Sequence, residues 1–400
     1  MGVLVALIVV FISSVIITRA SDAFETASDY IGRNLTDGVK GATINAIGSS
    51  MPELFTTLIF LVVLNDADGF AGGIGTTAGS AIFNGMIIPA LVGIVVITSR
   101  IAKNITLSRK VILRDGLSLI AAEIVLIFLL NSNELSAWHG VVLMTIYGLY
   151  VVLLLSSMSK NKTSEPATED SYTEAADTEV SEQRKSIFKN VFLFAWIDLE
   201  AWIIGDKKLT QANAWVLLIS STLLTGLACH WLVESCIWLG SDTYEFAGFS
   251  LQGLGLPIYF LSVIIASAAT SLPDTILSLK DAKKGNYNDA ISNALGSNIF
   301  DICFALGLPL FLYSIVNGPI TLSTEVAQNV SELRIFLVLL TIGSFFIFYF
   351  GRKFGLIKCI LLLILYVIFV LFIVGDTLNW TIVDGLKDTL LSINNWIKNF

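Results

Sequence analysis

Two stretches of this chain carry one polar pattern inside otherwise apolar sequence. Residues 41–60 read GATINAIGSSMPELFTTLIF, and residues 261–280 read LSVIIASAATSLPDTILSLK. Each sets two hydroxyl residues, a proline and a carboxylate into a hydrophobic run: Ser49, Ser50, Pro52 and Glu53, then Thr270, Ser271, Pro273 and Asp274. Further along each copy comes a second matched segment, GSAIFN over 79–84 and GSNIFD over 296–301. An ionisable side chain at the middle of a membrane helix costs ~2.5–3.5 kcal/mol on insertion scales, so a duplicated set of them marks function. Paired repeats with proline-interrupted apolar helices imply ion transport, with the site at the repeat interface.

Composition agrees with a membrane chain. Hydrophobic residues make up 55% and charged residues 14%, and runs long enough to cross a bilayer recur throughout. The candidate spans are 2–26, 37–64, 72–99, 112–130, 136–158, 213–238, 251–280, 287–315, 332–350 and 355–375. With the N-terminus outside, the inner loops hold all 24 Lys and Arg residues except Arg334, Lys387 and Lys398. That asymmetry predicts ten helices with both termini extracytoplasmic. The first run lacks a basic leader and has Arg19 after its apolar stretch, so it reads as a span and not as a cleaved signal. The net charge of −8 lies mainly in loops and gives no indication of a nucleic-acid partner. Cys229, Cys236, Cys303 and Cys359 lack metal-ligand spacing and read as small buried hydrophobes.

The apolar pattern breaks at residues 159–186, which are polar and acidic and read as a disordered cytosolic linker. The predicted fold is therefore an all-α membrane protein: ten transmembrane helices in two inverted five-helix repeats, with broken helices at the ion site. The N-terminal half is 1–158 with its repeat at 37–99, and the C-terminal half is 213–375 with its repeat at 251–315. Between them, 159–212 holds the linker and an aromatic-rich segment, 187–204. Asp198 and Glu200 lie within that segment, and a true span there would overturn the charge asymmetry, so it reads as an interfacial helix. The tail 376–400 spaces Ile382, Leu386, Leu390, Ile393 and Ile397 for an amphipathic helix on the outer surface, whose plainer role is packing.

Helical spacing gathers the polar groups. Ser49 and Ser50 share a helix face with Glu53, as Thr270 and Ser271 do with Asp274, and Ser80/Asn84 and Ser297/Asp301 are i, i+4 pairs. Pro52 and Pro273 lack an N–H, so the carbonyls of Gly48 and Ala269 lose their helical donors. Gly48, Gly79 and Gly296 are expected to permit close backbone approach. All the implied ligand atoms are oxygens, which suit hard cations such as Ca²⁺ and Na⁺ and not zinc or copper. Ionised Glu53, Asp274 and Asp301 supply three negative charges. One Ca²⁺ with a K⁺ or a proton, or three Na⁺, would neutralise them, whereas dry uncompensated charge is disfavoured. Glu123 and Glu234, each alone in a span, have no duplicate and receive no role.

The motifs GSSMPEL with GSAIFN, and TSLPDT with GSNIFD, closely resemble the two α-repeats of the calcium/cation antiporter superfamily. They are most like those of the potassium-dependent sodium/calcium exchangers. The resemblance is strong over roughly 37–90 and 260–310. It implies that Glu53 and Asp274 are the central Ca²⁺ ligands. Ser49, Ser50, Ser80, Asn84, Thr270, Ser271, Ser297 and Asp301 would complete the Ca²⁺ and Na⁺ sites, with carbonyls near Ala46 and Ser267. It also implies that helices 2–26 and 213–238 slide across this core to alternate access. The chain departs from the family pattern at Ser49, where many members have Gly or Thr, and at Ala269, where Gly is common. The 159–186 linker is too short for the calcium-sensing domains of animal exchangers, and no complete EF-hand loop is present. The Asp66–Gly69 stretch reads as an outer turn.

The expectation is a secondary antiporter and not an enzyme. It would have no cofactor and exchange Ca²⁺ for Na⁺, with or without accompanying K⁺, its partners being small inorganic cations and the lipid bilayer. A proton- or Mg²⁺-coupled exchanger is the main alternative on this scaffold. An intramembrane aspartyl protease would leave Glu53, Asn84 and the matched hydroxyls unexplained, and its glycine-flanked GD motif is absent. A cation channel would share the oxygens but not the midplane breaks in inverted repeats.

Overall fold

The computed structural model describes residues 1–33, 46–65, 67–102, 105–132, 134–159, 198–205, 208–351 and 353–398. The predicted linker, apart from Ser159 at a helix end, lies outside them, as do most of 187–204, Asp66 and the first residues of the predicted span 37–64.

The described residues are mostly helical. The first half contributes α1 (Gly2–Ile31), α2 (Ala46–Ser49), α3 (Met51–Leu64), α4 (Ala67–Thr98), α5 (Arg109–Leu129) and α6 (Ala137–Ser159). A short α7 (Leu199–Ile203) and α8 (Gln211–Gly240) follow. Then come α9 (Ile258–Lys283), α10 (287–317), α11 (Thr324–Tyr349), α12 (Leu356–Thr377) and α13 (Thr381–Lys398). Eight of the described helices are long and apolar enough to cross a membrane: α1, α4, α6, α8, α9, α10, α11 and α12. The other two predicted spans correspond to the α2–α3 pair and to α5, which starts with Arg109, Lys110 and Arg114.

Apolar side chains face outward in quantity, as lipid requires. Leu4, Leu7, Ile8 and Phe11 of α1, Leu223 and Leu227 of α8, and Ile357, Ile360, Leu361 and Ile364 of α12 are all exposed. Inside lies α4, whose Gly- and Ala-rich sequence lets neighbouring helices approach. It shares the largest buried cluster with residues of α5, α6, α10, α11 and α12. α1 and α8 run against one another and meet the broken helices through a smaller cluster containing Ile17, Cys229, Leu232 and Ala269. α13 docks on α11 and α12, its Lys387 Nζ 2.5 Å from Asp376 Oδ1.

Among the described residues, three two-stranded antiparallel ribbons tie loops together. β1 (Ile105–Thr106) pairs with β6 (Lys353–Phe354), β2 (Glu134–Leu135) with β5 (Ile320–Thr321), and β3 (Thr243–Phe246) with β4 (Phe249–Gln252). The last ribbon corrects the predicted span 251–280. Residues 249–252 are a strand, turned at Ala247 and Gly248 with φ of 51° and 81°, and the helix begins only after Pro257. Leu251, Leu254 and Leu256 carry enough apolar character to extend a hydropathy window, but the proline sets the helix start.

Candidate cation site

Both prolines interrupt their helices in the same way. α2 ends at Ser49 and α3 starts at Met51, so Ser50 sits at the break with φ −98° and ψ 7°. In α9 the helical segment Ser267–Thr270 stops and Leu272–Lys283 restarts, with Ser271 at the break (φ −77°, ψ −1°). Glu53 and Asp274 therefore each fall in the first turn of a restarted helix, three residues past the break. Unpaired N–H groups and the positive end of the helix dipole favour a carboxylate at that position. α9 contains a further irregularity at Ser262–Ala266 and α10 one at Phe300–Ala305, both single π-helical turns, and Asp301 projects from the second. Such turns move a side chain off the regular α-helical face and concentrate at functional sites.

These breaks bring the predicted carboxylates together. One carboxylate oxygen each from Glu53, Asp274 and Asp301 lies within 4.8 Å of the others, and all three side chains are fully buried. The hydroxyl of Ser80, on α4, stands among them. Its Oγ is 3.1 Å from Glu53 Oε1, 3.1 Å from Asp301 Oδ2 and 2.9 Å from Ser271 Oγ. One hydroxyl proton serves only one of these acceptors at a time. One turn on, Asn84 Nδ2 donates to Asp274 Oδ2 at 2.8 Å and lies 3.3 Å from both Ser80 Oγ and Ser297 Oγ. The remaining predicted hydroxyls also arrive: Ser49 and Ser297 beside Asp274, Thr270 beside Glu53, and Ser50 beside Asp301. Asn298 Nδ2 donates to the Ala81 carbonyl at 2.8 Å and fastens α10 to α4 at this level.

The donors present fall short of the acceptors. Glu53 Oε2, Asp274 Oδ1, Asp301 Oδ1 and Asn84 Oδ1 are buried and accept no hydrogen bond. Two unit charges 4.8 Å apart repel by about 3 kcal/mol at an effective dielectric near 20. Three ionised carboxylates with orphaned oxygens are therefore stable only with cations or protons among them. An all-oxygen cage of carboxylate, amide and hydroxyl groups suits a hard cation.

Other predicted positions differ. Ala46 starts α2, and its side chain lies outside the described residues. The Ser267 carbonyl accepts Ser271 N–H at 3.0 Å and the Thr270 hydroxyl at 3.2 Å, so both of its lone pairs are engaged in this conformation. Gly79 fulfils the close-approach expectation: a methyl group there would run into the Val263 carbonyl and come within 2.8 Å of Ser267 Cβ. Gly296 does not, since its nearest neighbour, the Tyr150 hydroxyl, would stand at an ordinary 3.5 Å. Glu123 is buried and takes a 2.7 Å hydrogen bond from Thr341 of α11, away from the cluster. Glu234 is half-buried on α8 and does not join it.

Sequence reading passed over three neighbours. Tyr147 of α6 buries a hydroxyl with no partner near Asp301, and its ring meets Phe300 edge-on at 5.2 Å. Thr56 buries a further hydroxyl one turn past Glu53. Cys229, read as a plain hydrophobe, directs its thiol at the Pro52 carbonyl, 3.6 Å away. Only the i+3 spacing of Thr56 from Glu53 could have been noticed in the sequence.

Comparison with known proteins matches residues 5–156 and 213–375 to the family described as sodium/calcium exchanger protein. The Homo sapiens sodium/potassium/calcium exchanger 5 is 27% identical over 380 residues, covering 82% of this chain and 72% of that protein. The Gallus gallus sodium/potassium/calcium exchanger 1 is 38% identical over 96 residues, 23% of this chain and 14% of its own length. Among solved structures, the H⁺/Ca²⁺ exchanger CAX superposes with a TM-score of 0.60 at 14% identity, over 97% of this chain and 92% of its own. The sodium-calcium exchanger NCX_Mj superposes with a TM-score of 0.51 at 23% identity, over 92% and 97%. At those identities the structural likeness is one of fold. The family match spans most of the chain in two segments, and the chain belongs to the sodium/calcium exchanger family of multi-pass membrane transporters.

Proposed function

We propose that this chain is a secondary antiporter that exchanges Ca²⁺ for Na⁺ by alternating access, with K⁺ accompanying Ca²⁺ as in the sodium/potassium/calcium exchangers it resembles. The observation that carries this reading is the buried cluster of Glu53, Asp274 and Asp301, whose oxygens outnumber the donors around them. Glu53 and Asp274 act as the central Ca²⁺ ligands. Ser80, Asn84, Ser271, Ser297 and Asp301 complete a set that Ca²⁺ and Na⁺ occupy in turn, because three carboxylates balance either load. Ten spans in two inverted halves form the scaffold. Two ribbons support the inversion: an operation that exchanges the halves turns the β1–β6 pair into the β5–β2 pair. α1 and α8, packed together across the broken helices, are the moving unit.

Radiolabelled Ca²⁺ uptake into Na⁺-loaded proteoliposomes tests the reading, with external Na⁺, K⁺ and pH varied separately. Uptake that needs the outward Na⁺ gradient and rises with K⁺ on the Ca²⁺ side is the expected result. Uptake that follows only a pH gradient would replace this reading with a proton-coupled exchanger.

A further inference from the structure

A small cavity opens beside the carboxylate cluster but outside it, lined by Ser21, Asp22 and Glu25 of α1, Ser49 of α2, and Pro273 and Leu277 of α9. It holds about 20 Å³ of water-accessible space. That suits a single water-sized body, which needs roughly 10–15 Å³. Its outer rim is polar and wet: Asp22 Oδ1 and Lys280 Nζ form a 2.8 Å ion pair whose side chains are 32% and 47% exposed. Its inner wall is Ser49, which is buried and reaches the Asp274 carboxylate. Among the described residues, the Ser49 hydroxyl stands between this cavity and the cluster. Charge around it is mostly negative, since Glu25 has Asp22, Asp29 and Asp281 for neighbours and Lys280 as the opposing cation. Glu200, from α7, reaches Thr26 at the same mouth. A further observation points to an occupant. Ser21 is only 6% exposed, and its Oγ has no hydrogen-bond partner while it lines the cavity.

We propose that Ser21, Asp22, Glu25 and Ser49 form a staging site that takes one Ca²⁺ between bulk water and the central carboxylates. Lys280 is the resident counter-charge that an arriving cation displaces. The proposal rests on the exchanger reading of the central cluster. The oxygens available are carboxylate and hydroxyl, which match a hard cation. A narrow cleft of one sign of charge raises local counter-ion concentration and on-rates by 10-fold or more. The site therefore acts on one membrane face only, the face to which the C-terminal end of α1 leads.

The test uses the full chain in proteoliposomes, with Ca²⁺ presented to each face in turn. Sidedness is fixed by labelling Arg33→Cys with an impermeant maleimide, since the native cysteines are buried. Glu25→Gln should raise the apparent KM for Ca²⁺ about 5-fold or more on the α1 C-terminal face, and leave it unchanged on the other. Equilibrium Ca²⁺ binding to the central site should be unaltered. Lys280→Gln should move the same KM in the opposite direction, and Ser21→Ala should raise it more weakly than Glu25→Gln. Equal shifts on both faces, no shift on either, or shifts of one sign for Glu25→Gln and Lys280→Gln would overturn the staging site while leaving the exchanger intact. Absence of Ca²⁺ transport by the wild-type protein would instead overturn the exchanger reading, and the staging site with it.

Discussion

Glu53 and Asp274 matter because nothing in the protein fully answers their charge. Each stands in the first turn of a restarted helix, takes a hydrogen bond from Ser80 or Asn84 and keeps one oxygen without any donor. Under the proposed exchange reading, removing either carboxylate charge would leave the fold's packing in place but deprive Ca²⁺ of a ligand. Glu53→Gln and Asp274→Asn should each lower Ca²⁺ transport by at least about 100-fold, the scale of breaking a buried charge pairing. Both variants should elute as wild-type monodisperse protein, and near wild-type flux in either would remove the central ligands from the account. Asp301 projects from a π-helical turn onto Ser80, whereas the Asn84 amide donates to Asp274, so Asp301→Asn should alter Na⁺ or K⁺ dependence more than Ca²⁺ selectivity. Unchanged monovalent dependence would argue against that role. These residues were legible because duplication isolates them: chance does not repeat a hydroxyl pair, proline and carboxylate in two apolar runs. Tyr147 and the thiol of Cys229 were not legible, because their relation to the site exists only once α6 and α8 have packed.

The helix breaks at Ser50 and Ser271 follow from Pro52 and Pro273, which cannot donate to the preceding turn. The π-helical turns at Ser262–Ala266 and Phe300–Ala305 had no comparable signal, since they arise where one helix accommodates another. Gly79 shows the accommodation directly, with α4 resting against the backbone of the α9 π-turn at the Val263 carbonyl. Gly79→Ala should push these two helices apart and cost about 1–3 kcal/mol, the usual range for overpacking a tight contact. A lowered thermal unfolding temperature in detergent, with reduced Ca²⁺ uptake, is the expected outcome. A variant as stable and as active as wild type would show that α4 and α9 need not meet so closely. The predicted span starting at 251 failed for a different reason: apolar strand residues look like helix residues to a composition window, and only Pro257 marks where the helix starts.

Across the whole molecule, segments read from Lys and Arg distribution as sharing a membrane face do meet. Ile105 pairs with Phe354, Arg33 bonds Gln211 and Lys280 bonds Asp22 among the inner segments. Leu135 pairs with Ile320, Tyr244 bonds the Gly2 carbonyl, and Arg334 reaches Asn131 and Asn394 among the outer ones. Which loop segments gather together was thus largely legible, because charge asymmetry and span length are both one-dimensional properties. A sliding role for α1 and α8 was not legible in charge or span length; it was implied by the family resemblance alone. α1 packs against the Ser267–Thr270 segment of α9, and Ile17 and Ala269 lie in one buried cluster with residues of α8. A disulfide between Ile17→Cys and Ala269→Cys should fix that contact, cutting exchange at least about 10-fold, with recovery on reduction. Full exchange by the crosslinked protein would mean that α1 does not slide over α9.

The most direct measurement is equilibrium binding of radiolabelled Ca²⁺ to the purified protein as Na⁺ is raised at constant ionic strength. Competition for one set of carboxylates predicts saturable Ca²⁺ binding to wild type, displaced by Na⁺ with a Hill coefficient above one because several Na⁺ replace one Ca²⁺. The Asp274→Asn variant should show no such binding. Bound Ca²⁺ that is indifferent to Na⁺, or that survives loss of the Asp274 charge, would contradict the claim that Glu53, Asp274 and Asp301 form the exchange site.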